Sequence, residues 1–186
     1  MQAVERLYAA WRAFQDRFLA PAAAVLFVGS TLLALLEVGR RYLLGYSFEW
    51  QQDAVTFFIL SGVFLYFSIS QRRDAHLTVT LVPELFNVFG GRWRRAAEAV
   101  KLVALVFSCA FMAAVVWWGL PEVEDSIKYE SRTESLAFPM WPFLATLLFS
   151  FACMAITMAF QIYREIHALR GRTVLEEPVE KVDGTH

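Results

Sequence analysis

Glu37 is the ionisable side chain that lies closest to the interior of an apolar run in this sequence. A carboxyl group within a bilayer is typical of ion-coupled pumps, because a proton or cation must be taken up and released along the transport path. Glu37 lies at the end of its run, however, and Arg40 and Arg41 follow it at spacings of three and four residues. Side chains at these spacings face each other on a helix. The pattern therefore favours a structural ion pair near the membrane boundary over a coupling site.

The histidines and cysteines do not indicate a cofactor or metal site. A membrane haem needs histidines that face each other inside the protein, but His76, His167 and His186 lie outside the apolar runs. Cys109 and Cys153 lie in the middle of two such runs, where a thiol behaves as a small hydrophobic group. No carboxylate pair, nucleophile with a base, or phosphate-binding glycine loop occurs at a usable spacing. We expect neither an enzyme activity nor a bound cofactor.

The composition predicts that a membrane surrounds these residues. Hydrophobic residues make up 58% of the 186 positions, whereas soluble domains have roughly 45–50% apolar residues. A helix needs about 20 apolar residues to cross the hydrocarbon core, and the runs near this length are 19–38, 50–70, 99–119 and 138–163. These runs lack the alternation of barrel strands, so we predict an all-α integral membrane protein with four transmembrane helices. The net charge of -1 gives no indication of a nucleic-acid partner.

Two segments next to these runs are amphipathic. Residues 4–18 carry apolar side chains at spacings of three and four, which predicts either a helix on the membrane surface or an extension of the first transmembrane helix. Residues 77–90 place Leu81 and Leu85 on one side of a helix and Glu84 on another. This second pattern predicts a surface-lying arm helix in the central loop.

The distribution of basic residues predicts the orientation. Thirteen of the 17 Lys and Arg residues lie in the N-terminal segment, the loop 71–101 and the C-terminal tail. Positively charged flanks of transmembrane helices stay in the cytoplasm, so we expect both termini and the central loop to be cytoplasmic. Residues 1–172 then form a single transmembrane domain. Residues 173–186 have few large apolar side chains, which predicts a disordered cytoplasmic tail.

Polar residues are dense at both ends of the second predicted helix, where residues 49–53 open it and residues 71–76 close it. Interfacial capping and anchoring explain such residues in many membrane helices. The alternative is docking, because long polar side chains at the headgroup level can pair with lipid phosphates or with another subunit. The candidates for docking, including two apolar residues of the arm, are Trp50, Asp53, Arg72, Arg73, His76, Leu81 and Leu85.

In these segments the sequence resembles the small membrane subunit, called Q-type or DctQ-like, of tripartite ATP-independent periplasmic (TRAP) transporters. That family opens its second transmembrane helix with Trp and acidic residues, continues with a glycine-containing apolar segment and an Arg-rich turn that leads to a His, and carries Pro and Trp before its last helix. The matching residues here are Trp50, Asp53, Gly62, the stretch 72–79 (RRDAHLTV), Pro139 and Trp141. Gln52 stands where the family has a carboxylate.

The resemblance implies a protein that works with partners in the bacterial inner membrane. A large multi-span permease then holds the substrate and sodium sites, and a periplasmic substrate-binding protein delivers a small organic anion such as a carboxylate. The small subunit supports and anchors the large one, contacts membrane lipids and has no catalytic residues.

Two other interpretations stay open at this point. The first is a self-sufficient, four-helix, proton-coupled exporter that uses Glu37 as its coupling carboxylate. The second is a four-span scaffold or adhesion protein without transport, although its predicted loops outside the cytoplasm are short and carry no cysteines.

Overall fold

The computed structural model describes residues 2–46, 48–72, 91–135 and 138–169. Outside the described residues lie the predicted tail 173–186 and the predicted arm 77–90, together with the docking candidates Arg73, His76, Leu81 and Leu85. Within the described part, the regular structure is helical apart from one isolated antiparallel bridge between Arg132 and Pro139.

The first transmembrane helix begins close to the N-terminus. Helix α1 (Gln2–Phe14) continues through a π-helical turn (Gln15–Leu19) into α2 (Ala20–Leu44) without a break in the helical backbone. A π-helical turn holds an extra residue, and such turns occur often at functional sites. Gly45 ends α2 with a φ of 74°, a left-handed conformation that glycine adopts without steric cost. Of the two interpretations of residues 4–18, the structure therefore supports the helix extension.

The other three long helices are α3 (Glu49–Arg72), α4 (Gly91–Lys128) and α5 (Trp141–Leu169). Helix α4 contains Pro121 and continues past residue 119, its predicted end. A proline removes one backbone donor, but membrane helices tolerate it because neighbouring groups or water satisfy the freed carbonyl. In the described residues, four helices are long and apolar enough to cross a membrane. The predicted fold class, an all-α membrane protein with four transmembrane helices, is confirmed.

The helices are not arranged in chain order. Helix α2 packs against α3, α3 packs against α5, and α5 packs against α4. Among the described residues, α4 makes extensive contacts with α5 alone. Much of the apolar surface of α4 therefore faces outward, and Trp118 is 76% exposed. Such a surface is stable only against lipid or another membrane protein.

Small residues allow the closest helix contacts. A side chain at Gly62 on α3 would place its Cβ 3.3 Å from the Cβ of Leu26 on α2. Gly119 on α4 lies against Leu148 of α5, where an added Cβ would clash with the leucine side chain. Ala23 of α2 is almost completely buried. Small residues of this kind let membrane helices approach closely, and here they pack helices of the same chain together.

The side chains pair at two separate ends of the helices. One end is named the inner end, after its predicted cytoplasmic location. It holds α1, the last turn of α3, the first turn of α4 and the last turn of α5. The opposite end is named the outer end. It holds the last turn of α2, the first turn of α3, the last turn of α4 and the first turn of α5. Polar contacts between helices are concentrated near these two ends.

Candidate functional site

A buried polar cluster connects three helices near the inner end. Gln15 is fully buried in the π-helical turn. Its side-chain amide donates to Ser68 Oγ on α3 at 2.9 Å and to Thr157 Oγ1 on α5 at 3.0 Å. Trp11 Nε1 donates to the same Thr157 oxygen at 3.1 Å. The cluster therefore joins the first helix to two others through groups that lipid cannot solvate.

Sequence reasoning missed this cluster. Gln15, Ser68 and Thr157 are single polar residues far apart in the chain, and no motif connects them. One feature of the sequence does indicate a buried contact at Gln15. This residue lies among the apolar positions of an amphipathic helix, where a long polar side chain requires a partner. Which partner it finds depends on how the helices rotate against each other.

Arg72, at the end of α3, pairs with Asp16 of the π-helical turn. Its Nη2 lies 2.6 Å from Asp16 Oδ1 and its Nη1 lies 3.1 Å from Oδ2, a bidentate arrangement. Nη1 also donates to the carbonyl oxygen of Arg12 at 3.3 Å. The Arg72 side chain is 5% exposed and that of Asp16 is 48% exposed. The planar guanidinium of this docking candidate thus finds a matching carboxylate within its own chain, and a role of Arg72 in docking stays a prediction.

Two further contacts hold α5 at the inner end. Gln71 and Gln161 form a pair in which Gln161 Nε2 donates to the Gln71 carbonyl oxygen at 2.7 Å and Gln71 Nε2 donates to Gln161 Oε1 at 3.0 Å. Lys101 on α4 forms an ion pair with Glu165 on α5, with 2.7 Å between Nζ and Oε1. Lys101 and Gln161 thus both pair with residues of a neighbouring helix. Pairing satisfies their polar groups without requiring them to reach water.

At the outer end, Asp53 holds the loop that joins α4 to α5. Its Oδ2 accepts hydrogen bonds from Ser135 Oγ at 2.6 Å and from the Ser135 backbone N–H at 3.0 Å. The ring of Trp50 meets the ring of Phe138 edge-on, with 5.9 Å between their centroids. Both docking candidates at the start of α3 thus contact a loop of their own chain. A role for either residue in docking stays a prediction.

The ion pair predicted between Glu37 and the two following arginines is not formed in the structure. Among the described residues, no salt bridge joins Glu37 to either arginine, and Glu37 Oε2 is buried without a hydrogen-bond partner. The Arg40 guanidinium instead lies 3.7 Å from the centre of the Phe48 ring and donates to Gln51 Oε1 at 3.5 Å. Cation–π attraction and this hydrogen bond replace the expected carboxylate. In the described residues, no three His, Cys, Asp or Glu side chains are grouped to hold a metal ion.

Comparison with known families identifies the chain. The model of the family described as "Tripartite ATP-independent periplasmic transporters, DctQ component" matches residues 30–168. The chain belongs to the DctQ family. The DctQ family is a family of transporter components and not a family of enzymes. No curated protein gives a significant match to this sequence.

The DctQ match covers one end of the structure more fully than the other. It begins within α2 and ends just before the last residue of α5. It therefore includes the contact between Asp53 and Ser135 at the outer end, and Arg72, Thr157 and Gln161 at the inner end. The N-terminal partners Trp11, Gln15 and Asp16 precede the matched residues. Their roles in this DctQ protein come from its own structure and not from the family match.

Proposed function

We propose that this chain is the small permease subunit of a TRAP transporter, which supports and anchors a large multi-span permease. In this proposal a sodium gradient drives uptake of a small organic anion such as a carboxylate, and a periplasmic binding protein delivers the anion. The observation that carries the proposal is the DctQ match over residues 30–168. The proposal assigns the substrate and sodium sites to the large permease, and membrane lipids surround both chains.

The side-chain contacts support a structural role for this subunit. An ion path through a membrane protein requires polar or charged groups that are accessible to the moving ion. In the described residues, the interhelical polar groups Gln15, Arg72, Lys101 and Asp53 bind other residues of the same chain. The apolar side chains of α4 are left exposed, and they give a partner helix a surface to pack against. We infer that the chain presents a stable surface to the large permease.

Purification separates this proposal from its alternative, the self-sufficient proton-coupled exporter. We expect the chain to elute together with a large multi-span permease when both are produced in mild detergent, and liposomes that contain the chain alone to show no transport. Proton-driven transport by the isolated chain, lost in a Glu37→Gln variant, would support the exporter instead.

The predicted orientation leads to a labelling experiment. In a chain in which Lys128 is replaced by cysteine, an impermeant thiol reagent should label the protein from outside the inner membrane. A cysteine at position 94 should be labelled only after the membrane is opened, because the positively charged loop stays in the cytoplasm. The unaltered chain is the control, since Cys109 and Cys153 lie within transmembrane helices. The reverse labelling pattern would show that the orientation is wrong.

The predicted arm leads to an assembly experiment. Replacing Leu81 and Leu85 together by Asp should reduce recovery of the large permease in the purified complex by at least about tenfold. The reason is that two carboxylates on the apolar side of a surface helix oppose its insertion next to lipid or a partner. Uptake should fall in parallel. The matched control introduces two carboxylates on the predicted polar side, at Thr80 and Asn87. Normal assembly of the leucine variant, or an effect of equal size in the control, would contradict an anchoring role for the apolar side.

A further inference from the structure

The turn that follows α4 at the outer end has an unusual backbone. The Ser131 N–H binds the Ser126 carbonyl oxygen at 3.0 Å, and the Glu130 N–H binds that of Ile127 at 3.3 Å. This pattern is the helix-ending motif whose left-handed position is usually a glycine. Here the position is Glu130, with a φ of 47°. A side chain in this conformation costs free energy, and such positions are concentrated where function requires a particular side chain.

Hydrogen bonds also link the described residues that follow Glu130. The Thr133 N–H donates to the Phe138 carbonyl oxygen and the Met140 N–H donates to that of Ser131, both at 2.9 Å. Asp53 binds Ser135 from the start of α3, as described above. The turn is therefore a preorganised surface, and a partner that binds it loses little conformational entropy in ordering it.

A cavity of about 180 Å³ opens at this turn. Its walls are formed by Ser126, Ile127, Glu130, Arg132, Pro139 and Trp141. A water molecule occupies about 30 Å³ in the liquid, so the cavity has room for the end of a long side chain. Ser126 is 5% exposed, and its hydroxyl has no hydrogen-bond partner. A buried hydroxyl without a partner is unfavourable, so a bound group that pairs with it gains affinity.

The charge around the cavity favours a cation. Residues 121–140 contain five acidic residues and two basic ones, and the acidic ones are exposed. Of the two basic side chains, Lys128 lies beside the ring of Tyr129, and Arg132 already makes an interaction in the chain. The surface around the cavity therefore attracts a positively charged group and repels a free organic anion.

We propose that this cavity receives a Lys or Arg side chain from a soluble protein that docks on the outer face. The incoming cation pairs with the Glu130 carboxylate, donates a hydrogen bond to Ser126 Oγ and lies against the indole ring of Trp141. This inference rests on the proposed function, in which the soluble protein is the substrate-binding protein of the transporter. It adds the place on this chain that the binding protein contacts and the type of side chain that it inserts.

Two substitutions test the cavity without damaging the fold. Glu130→Gly removes the carboxylate and places the preferred residue in the left-handed position, so the variant should unfold at the same or a higher temperature. Ser126→Ala removes a buried hydroxyl that has no partner, which is also neutral or stabilising. Glu122→Gln is the matched control, because it removes a carboxylate from the same acidic surface outside the cavity.

The measurement is the Kd of the purified substrate-binding protein for the complete membrane complex in lipid nanodiscs, at low and moderate salt. We expect Glu130→Gly to weaken binding by about tenfold and Ser126→Ala by about threefold, whereas Glu122→Gln changes the Kd by less than about twofold. The effect of Glu130→Gly should shrink as salt rises. Unchanged affinity in both cavity variants would overturn the inference and leave the proposed function intact. If the binding protein does not bind the unaltered complex at all, the proposed function fails, and the inference fails with it.

Discussion

Replacing Arg72 by alanine is expected to lower the free energy of unfolding by about 2 kcal/mol. Breaking a fully buried ion pair costs about 3–5 kcal/mol, whereas an exposed pair contributes about 0.2–1 kcal/mol. Arg72 is 5% exposed but Asp16 is 48% exposed, so an intermediate value follows. The substitution also removes the hydrogen bond to the Arg12 carbonyl oxygen, which connects the end of α3 to the first helix. Reversible unfolding in mixed detergent micelles measures this loss.

Three variants separate charge from geometry at this pair. Arg72→Lys should recover less than half of the lost stability, because an ammonium group cannot form the bidentate contact. Asp16→Asn should cost less than Arg72→Ala, since an exposed amide at position 16 leaves the arginine one acceptor. Exchanging the two residues, Arg72→Asp with Asp16→Arg, should restore part of the stability of either single variant. A full recovery with lysine would indicate that the charge alone matters, and the bidentate geometry would then be irrelevant.

The second large effect is expected at Gln15. Gln15→Ala should lower the free energy of unfolding by about 2–3 kcal/mol. Interhelical hydrogen bonds in membrane proteins contribute about 0.6 kcal/mol each on average, so the bonds to Ser68 and Thr157 account for about half of this loss. The remainder comes from the cavity that the shorter side chain leaves in a fully buried position.

Gln15→Met tests this division between bonding and packing. Methionine has a similar length and fills space without forming the two hydrogen bonds, so it should cost about 1 kcal/mol, the hydrogen-bond share alone. Equal losses in the methionine and alanine variants would mean that hydrogen bonding dominates at this site. A change below about 0.5 kcal/mol in both would contradict the role of the cluster in holding the three helices together.

These contacts bear on the proposed function because a supporting subunit must keep one shape while its partner moves. Helix α4 is held mainly by α5, through close packing at Gly119 and the ion pair between Lys101 and Glu165. The first helix is held by Gln15 and Arg72 contacts. We propose that these connections fix the positions of the outward-facing helices against which a large permease packs.

The limits of the sequence predictions differ between helices and contacts. The four hydrophobic runs identify four transmembrane helices, but α2 and α5 extend beyond their predicted ends at residues 38 and 163. Hydropathy detects only the part of a helix inside the hydrocarbon core, and polar turns that continue past the core do not contribute to that signal. Helix α4 likewise continues past residue 119, the end of its hydrophobic run, and passes through Pro121.

The docking candidates show a second limit. Arg72 and Asp53 are prominent in the sequence because they are charged and lie at membrane boundaries. The structure gives both of them partners within the chain, Asp16 and Ser135. A charged residue at the headgroup level is equally suited to a lipid, another subunit or its own chain. The sequence pattern cannot distinguish these partners because it carries no distances.

The sequence by itself determined that this is a four-helix membrane protein, and its boundary motifs pointed to the DctQ family that the family match identifies. Each of these conclusions depends on hydrophobicity or on short motifs, which are properties of neighbouring residues in the chain. The tertiary structure alone decided that α5 lies between α3 and α4, and that Gln15 meets both Ser68 and Thr157. Helix order and rotation follow from the packing of small residues and from the pairing of polar groups that lipid cannot solvate. These interactions join residues far apart in the chain, so no local pattern reveals them.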